Sequence, residues 1–107
     1  MKRQGLIFLL AVLTILKCYA QQKKLDSLLR VSTTQKGELL VGTLNEISWQ
    51  YRNIHLDSAL VYARTALLEA KKTNQKKLYA SAYNAIASAY QAKADYDSAI
   101  YFHSKSL

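Results

Sequence analysis

The chain has 107 residues, 50% of them hydrophobic, with no proline, three glycines, one cysteine and a formal net charge of +8. That length holds one small domain or a piece of one, and the composition, rich in alanine, leucine and lysine, favours helices over sheet. A single cysteine excludes an internal disulfide and a thiolate metal cluster.

The first element is a targeting signal. Lys2 and Arg3 precede the apolar run Leu6 to Leu16, and Lys17 and Cys-Tyr-Ala-Gln-Gln follow it. A basic start, a short apolar stretch and small residues before a cut are the parts of a secretory signal peptide. The run is shorter than the roughly 20 apolar residues that a spanning helix needs. Cys18 and Ala20 stand at the two small-residue positions, so cleavage is expected after Ala20. A lipidated Cys18 is a competing reading, weakened by Lys17 directly before it, and an uncleaved anchor is another. Loss of residues 1–20 removes the only thiol and takes the charge from +8 to +5, because Lys2, Arg3 and Lys17 leave. Most of the remaining surplus lies in Lys71-Lys72 and Lys76-Lys77, which flank a polar turn as solvated helix ends. No arginine cluster marks a nucleic-acid face.

Residues 21–35 form a lead-in segment, with an amphipathic helix over Lys23–Val31 that puts Leu25, Leu28 and Leu29 on one side. Ser32, Thr33 and Thr34 are a polar break suited to capping the next helix. That helix runs from about Lys36 to Arg52, with Leu40, Leu44, Ile47 and Tyr51 at three- and four-residue steps. After Asn53 to His55, a third helix carries Leu56, Ala59, Leu60, Ala63, Ala66, Leu67 and Ala70. Thr73-Asn74-Gln75 turns the chain into a fourth, marked by Tyr79, Ala82, Tyr83, Ile86, Ala87 and Tyr90. Ala94-Asp95 breaks it, with Asp95 placed as an N-cap, and a fifth helix opens at Tyr96.

The last four helices are two copies of one hairpin. LNEISWQY from Leu44 matches YNAIASAY from Tyr83, sharing Asn45/Asn84, Ile47/Ile86 and Tyr51/Tyr90. LDSALVYARTAL from Leu56 matches YDSAIYFHSKSL from Tyr96, sharing Asp57/Asp97, Ser58/Ser98, Ala59/Ala99 and Leu67/Leu107. Short connections make neighbouring helices antiparallel, and a self-similar helical hairpin at this spacing is the mark of an α-solenoid.

The pattern resembles the tetratricopeptide repeat, from about Leu40 onward. In that family the first helix carries a large residue, a large aliphatic one, a small one and an aromatic. Here these are Leu44, Ile47, Ser48 and Tyr51, then Tyr83, Ile86, Ala87 and Tyr90. The second helix carries two small residues, here Ala59 with Ala66 and Ala99 with Ser106. The spacing exceeds the usual repeat of about 34 residues, the closing proline is absent, and His103 replaces an aromatic. The resemblance implies an all-α, right-handed solenoid with a first repeat over 36–73 and a second, truncated one over 74–107. The longer variant resembles exported regulators of gram-negative bacteria, including sensor kinases with a periplasmic helical-repeat region.

Catalytic chemistry finds little support. His55 sits in a turn and His103 on a helix, without ligand or triad spacing. Asp95 and Asp97 begin a helix, where carboxylates serve capping and the helix dipole. No glycine-rich phosphate loop is present, so no cofactor, metal or catalytic residue is expected. A binding face is expected instead, since first helices of successive solenoid repeats line a concave surface. Asn45, Trp49 and Arg52 from one hairpin, and Ser81, Asn84, Ser88 and Gln91 from the next, should point into it. The paired Asn45 and Asn84 suit the backbone of an extended peptide. Trp49, whose counterpart is Ser88, either packs on the lead-in helix or anchors a partner, and packing is the better expectation. Tyr62, Tyr79, Tyr83, Tyr90, Tyr96, Tyr101 and Phe102 are expected in inter-helix contacts.

The functional expectation is a periplasmic protein-interaction module with a peptide or protein partner and no nucleic acid. It would be the N-terminal part of a larger signalling receptor, a sensor kinase or transcriptional regulator, with membrane contact only through the signal or a later anchor. A stand-alone envelope scaffold is the alternative.

Overall fold

The computed structural model describes residues 2–107, and among them there are five helices and no strand. They are α1 (Lys2–Ser32), α2 (Gly37–Tyr51), α3 (Leu56–Thr73), α4 (Lys76–Ala92) and α5 (Tyr96–Ser106). The chain is therefore all-α.

The apolar N-terminal run and the lead-in helix form one element. α1 is continuous for 31 residues, about 46 Å at 1.5 Å per residue, and nothing in the sequence between Gly5 and Ser32 breaks a helix. Its two ends behave differently. Leu25 is buried, with Leu28 and Leu29 packed beside it, whereas the apolar segment before Lys17 buries nothing. By length and composition α1 could cross a membrane, and a signal sequence has the same features. The projecting half explains the elongated outline of 61 × 35 × 19 Å. It also raises the radius of gyration to 17.0 Å, against about 13 Å for a compact chain of this length.

Helix ends follow local chemistry, with two departures from expectation. Ser32, Thr33 and Thr34 do not cap α2. Their hydroxyls donate back to the carbonyls of Leu29, Arg30 and Val31 and close α1, where the backbone N–H groups of Thr33 and Thr34 also turn back onto Arg30 and Val31. α2 is capped from a distance instead. Its N-cap residue, Lys36, makes no side-chain cap, and the N–H of Gly37 donates to Glu69 Oε1 of α3 at 3.1 Å. That hydrogen bond, aided by Lys72 and Lys36 and opposed by burial, holds the Glu69 carboxyl below the usual glutamate range. At the other starts, His55 Nδ1 accepts from the Ser58 N–H of α3, and Asp95 accepts from the Ser98 N–H of α5. The repeated Asp-Ser-Ala thus begins a helix in both copies, with its serine N–H bound to the N-cap.

Packing joins α1 to α2, α2 to α3, α3 to α4, α4 to α5, and α2 to α4. α2 and α3 run antiparallel, since Gly37 meets Glu69 at one end and Ser48 meets Ala59 at the other. α2 and α4 run parallel, because Glu38 pairs with Lys77 and, further along both helices, Asn45 bonds to Ser81.

The core forms two clusters. Leu25, Val41, Leu44, Ile47, Ala66, Ala70, Leu78 and Ala82 make one, and Ala59, Leu60, Ala63, Ile86 and Ala89 make the other. Tyr51 and Leu67 lie against both. Small residues stand where helices meet: Ala59, Ala63, Ala66, Ala82 and Ala87 are fully buried. Ser48, also buried, donates to the Ala59 carbonyl at 2.7 Å. Aromatic stacks repeat as the sequence does. Tyr51 stacks on Tyr62 with centroids 5.6 Å apart, and their counterparts Tyr90 and Phe102 at 5.4 Å. Tyr96 and Tyr101 depart from the expected packing and are exposed on α5. They fall on the side of that helix that no other element covers.

Candidate functional site

A groove runs between the parallel helices α2 and α4, and it is built from a helical stripe on each. Leu39, Gly42, Glu46 and Trp49 on α2 recur at steps of three, four and three residues. Leu78, Ser81, Ala85 and Ser88 on α4 do the same, and all eight line the groove. Such spacing holds side chains on one face of a helix. Asn45, Asn84 and Arg52 extend the lining.

Six of the seven residues proposed for the concave face meet here: Asn45, Trp49, Arg52, Ser81, Asn84 and Ser88. Gln91 does not line the groove and is exposed near the end of α4. Asn45 bridges the helices, its Nδ2 donating to Ser81 Oγ at 2.8 Å. Its Oδ1 is buried without a partner, an arrangement that costs free energy until an acceptor-seeking group arrives. Asn84 is exposed, so the two equivalent amides differ in surroundings.

Trp49 does not pack on α1. Its side chain is 52% exposed, and the Arg52 guanidinium lies over the ring at 3.6 Å from its centroid. The expected packing fails because α1 reaches α2 through Leu25, Leu28 and Leu29, which lie against the cluster holding Val41 and Leu44. A small recess of about 20 Å³ opens between Trp49, Arg52, Ser48 and Ser88. The wider groove over Asn45, Ser81 and Asn84 measures about 310 Å³.

The groove continues toward the start of α2 into a recess of about 440 Å³ bordered by Leu28, Leu39 and Leu78. Sequence reasoning missed these three. The signal that finds Leu39 and Leu78 is their position as copies one repeat apart, each heading its stripe. Leu28 enters only through the fold, as a wall that α1 supplies.

The other residues weighed for chemistry have local roles. His55 and Asp95 cap helices. Asp97 lies in the first turn of α5, and His103 is half-buried on the same helix. Among the described residues no group of three or more His, Cys, Asp or Glu is arranged to hold a metal ion. The groove has the means to bind: a half-exposed indole, an arginine fork, amides and hydroxyls along a channel.

No family model matches the chain, and neither a curated protein nor a solved structure matches it.

Proposed function

We propose that this chain is an exported helical-repeat module, of tetratricopeptide type, that binds an extended segment of a protein partner along the α2–α4 groove. One observation carries the reading. Trp49 stays half exposed in that groove, with Arg52 over its ring and polar residues of both helices beside it. Large aromatic and arginine side chains of this kind are the usual anchors of protein interfaces. An exposed tryptophan without such use adds an aggregation liability.

The solenoid reading draws support from the parallel α2 and α4 and from the repeated aromatic stacks. Export draws its support from α1, basic at its start and apolar without burial along its first half. The periplasm is the compartment we assign on that basis.

The test is site-specific photo-crosslinking in living cells. A photoreactive residue at Ser88, inside the groove, should give a discrete adduct. The same residue at Thr65, exposed on α3, should not. Trp49→Ala should abolish the Ser88 adduct. Equal labelling from both positions would overturn the groove as the binding face.

A further inference from the structure

The two ends of the groove differ in chemistry. At the α2 start, Leu39 is 70% exposed beside Leu28 and Leu78. The carboxylates on this rim already have partners, Glu46 with Lys24 at 3.4 Å and Glu38 with Lys77 at 3.2 Å. What remains open there is apolar. Arg52, at the other end, has no carboxylate within ion-pair reach among the described residues. It is the unpaired charge of the groove, its guanidinium carbon 3.6 Å from the centroid of the Trp49 ring. Between the two ends Gly42 leaves the wall open, with nothing within 4 Å of where a side chain would begin.

We propose that the groove takes an extended polypeptide segment with an acidic side chain for Arg52. The same segment carries a large apolar side chain four residues away for the Leu28–Leu39–Leu78 recess. The proposal rests on the peptide-binding reading above and specifies its partner. Arg52 selects the acid because a guanidinium offers five N–H donors in a planar fork that a carboxylate accepts two at a time. Contact with the Trp49 ring restrains the fork in advance, so less side-chain freedom is lost on binding. The spacing follows from helix geometry. Leu39 and Arg52 are thirteen residues apart, about 20 Å along α2. An extended chain advances about 3.3 Å per residue, and the reach of Arg52 shortens the span. Even separations are required because side chains of an extended segment alternate between faces. Leu28 and Lys24 lie beyond Ala20, so the apolar recess survives removal of the first 20 residues.

The experiment uses the full chain in mild detergent and three fluorescein-labelled peptides. The parent peptide is Gly-Leu-Ser-Ala-Ser-Glu-Gly, the second replaces its Glu by Gln, and the third replaces its Leu by Ser. By fluorescence anisotropy the parent should bind about tenfold more tightly than either relative, as loss of a charge-assisted bond or an apolar anchor implies. Its advantage over the Gln peptide should shrink in high salt. Arg52→Gln should erase the Glu/Gln discrimination and keep the Leu/Ser one, whereas Leu39→Ser should do the reverse. Both positions are solvent-accessible, and circular dichroism checks that each variant stays folded. Equal binding of the Glu and Gln peptides, or no binding by any of the three, overturns the proposal. The Ser88 crosslink separates the two readings. An adduct there with peptides that fail sinks only the partner chemistry, whereas loss of both sinks the groove as well.

Discussion

Ala94 carries a backbone strain that a single methyl group causes. Its φ is 64°, in the left-handed region, at the turn from α4 into α5. That conformation costs an L-residue with a Cβ about 1–2 kcal/mol, while Asn74, at φ 56° at the turn from α3 into α4, is a type that tolerates it. Ala94→Gly should therefore raise stability by about 1 kcal/mol, read as a higher urea midpoint with unchanged slope. A second residue-scale prediction concerns Glu69. Its carboxylate accepts from Gly37, and its folded pKa is lowered. A lowered pKa stabilises the fold above the unfolded value, about 4.3 for glutamate, and that share is lost as pH falls through the folded pKa. Glu69→Gln should flatten the acid side of the stability profile and leave less to lose below that pH. Urea unfolding of both proteins from neutral pH to acid measures it, and parallel profiles would count against the contact. Asp95 was legible as a cap because its target lies three residues away. Glu69 was not, since its target is 32 residues away and only the packed α2–α3 hairpin brings the two together.

At the scale of the helix, periodicity carried most of the information. It located α2 to α5 because apolar and small residues recur on one face. The same spacing contained the groove stripes, but a polar stripe looks like any solvated face until a second helix lies beside it. α1 shows the opposite limit: with no breaker in the sequence, the boundary between the apolar run and the lead-in helix has no local mark, and the two form one helix. The α2–α3 contact gives a prediction at this scale. Ser48 is buried with its hydroxyl on the Ala59 carbonyl, and its counterpart Ala87 is buried without one. The position therefore requires smallness first and a hydrogen bond second. Ser48→Ala should cost about 1 kcal/mol, within reach of the alanine that the second copy already uses. Ser48→Leu should cost about 3 kcal/mol or more, because overpacking forces two helices apart. Thermal melts of the two variants should rank in that order, and similar melting temperatures would mean that α2 and α3 do not meet through this residue.

The whole molecule divides into a body and a projecting half-helix. Since the first half of α1 buries nothing, a chain starting at Gln21 should keep the melting temperature of the body. Leu25→Ala in that shorter chain should lower stability by about 3 kcal/mol, because Leu25 belongs to the core. The other end of the body has the reverse problem. Leu60 on α3 is 6% exposed, packed against Ile86 and Ala89 of α4. Its counterpart Ile100 on α5 is 67% exposed, and Leu107, the counterpart of the half-buried Leu67, is fully exposed. The residues that dock a neighbouring helix in the first copy are thus bare in the second. A repeat buries its apolar face only against a neighbour, so the chain starting at Gln21, freed of the bare apolar half of α1, should be marginally stable and should associate through α5. Sedimentation velocity over a range of concentrations should show oligomers that dissociate on dilution. Ile100→Glu should shift the chain to monomer with helicity intact, whereas Val61→Glu, on an exposed face of α3, should leave association unchanged. A chain that stays monomeric at every concentration, and melts sharply at high temperature, would mean that two hairpins suffice to bury this core.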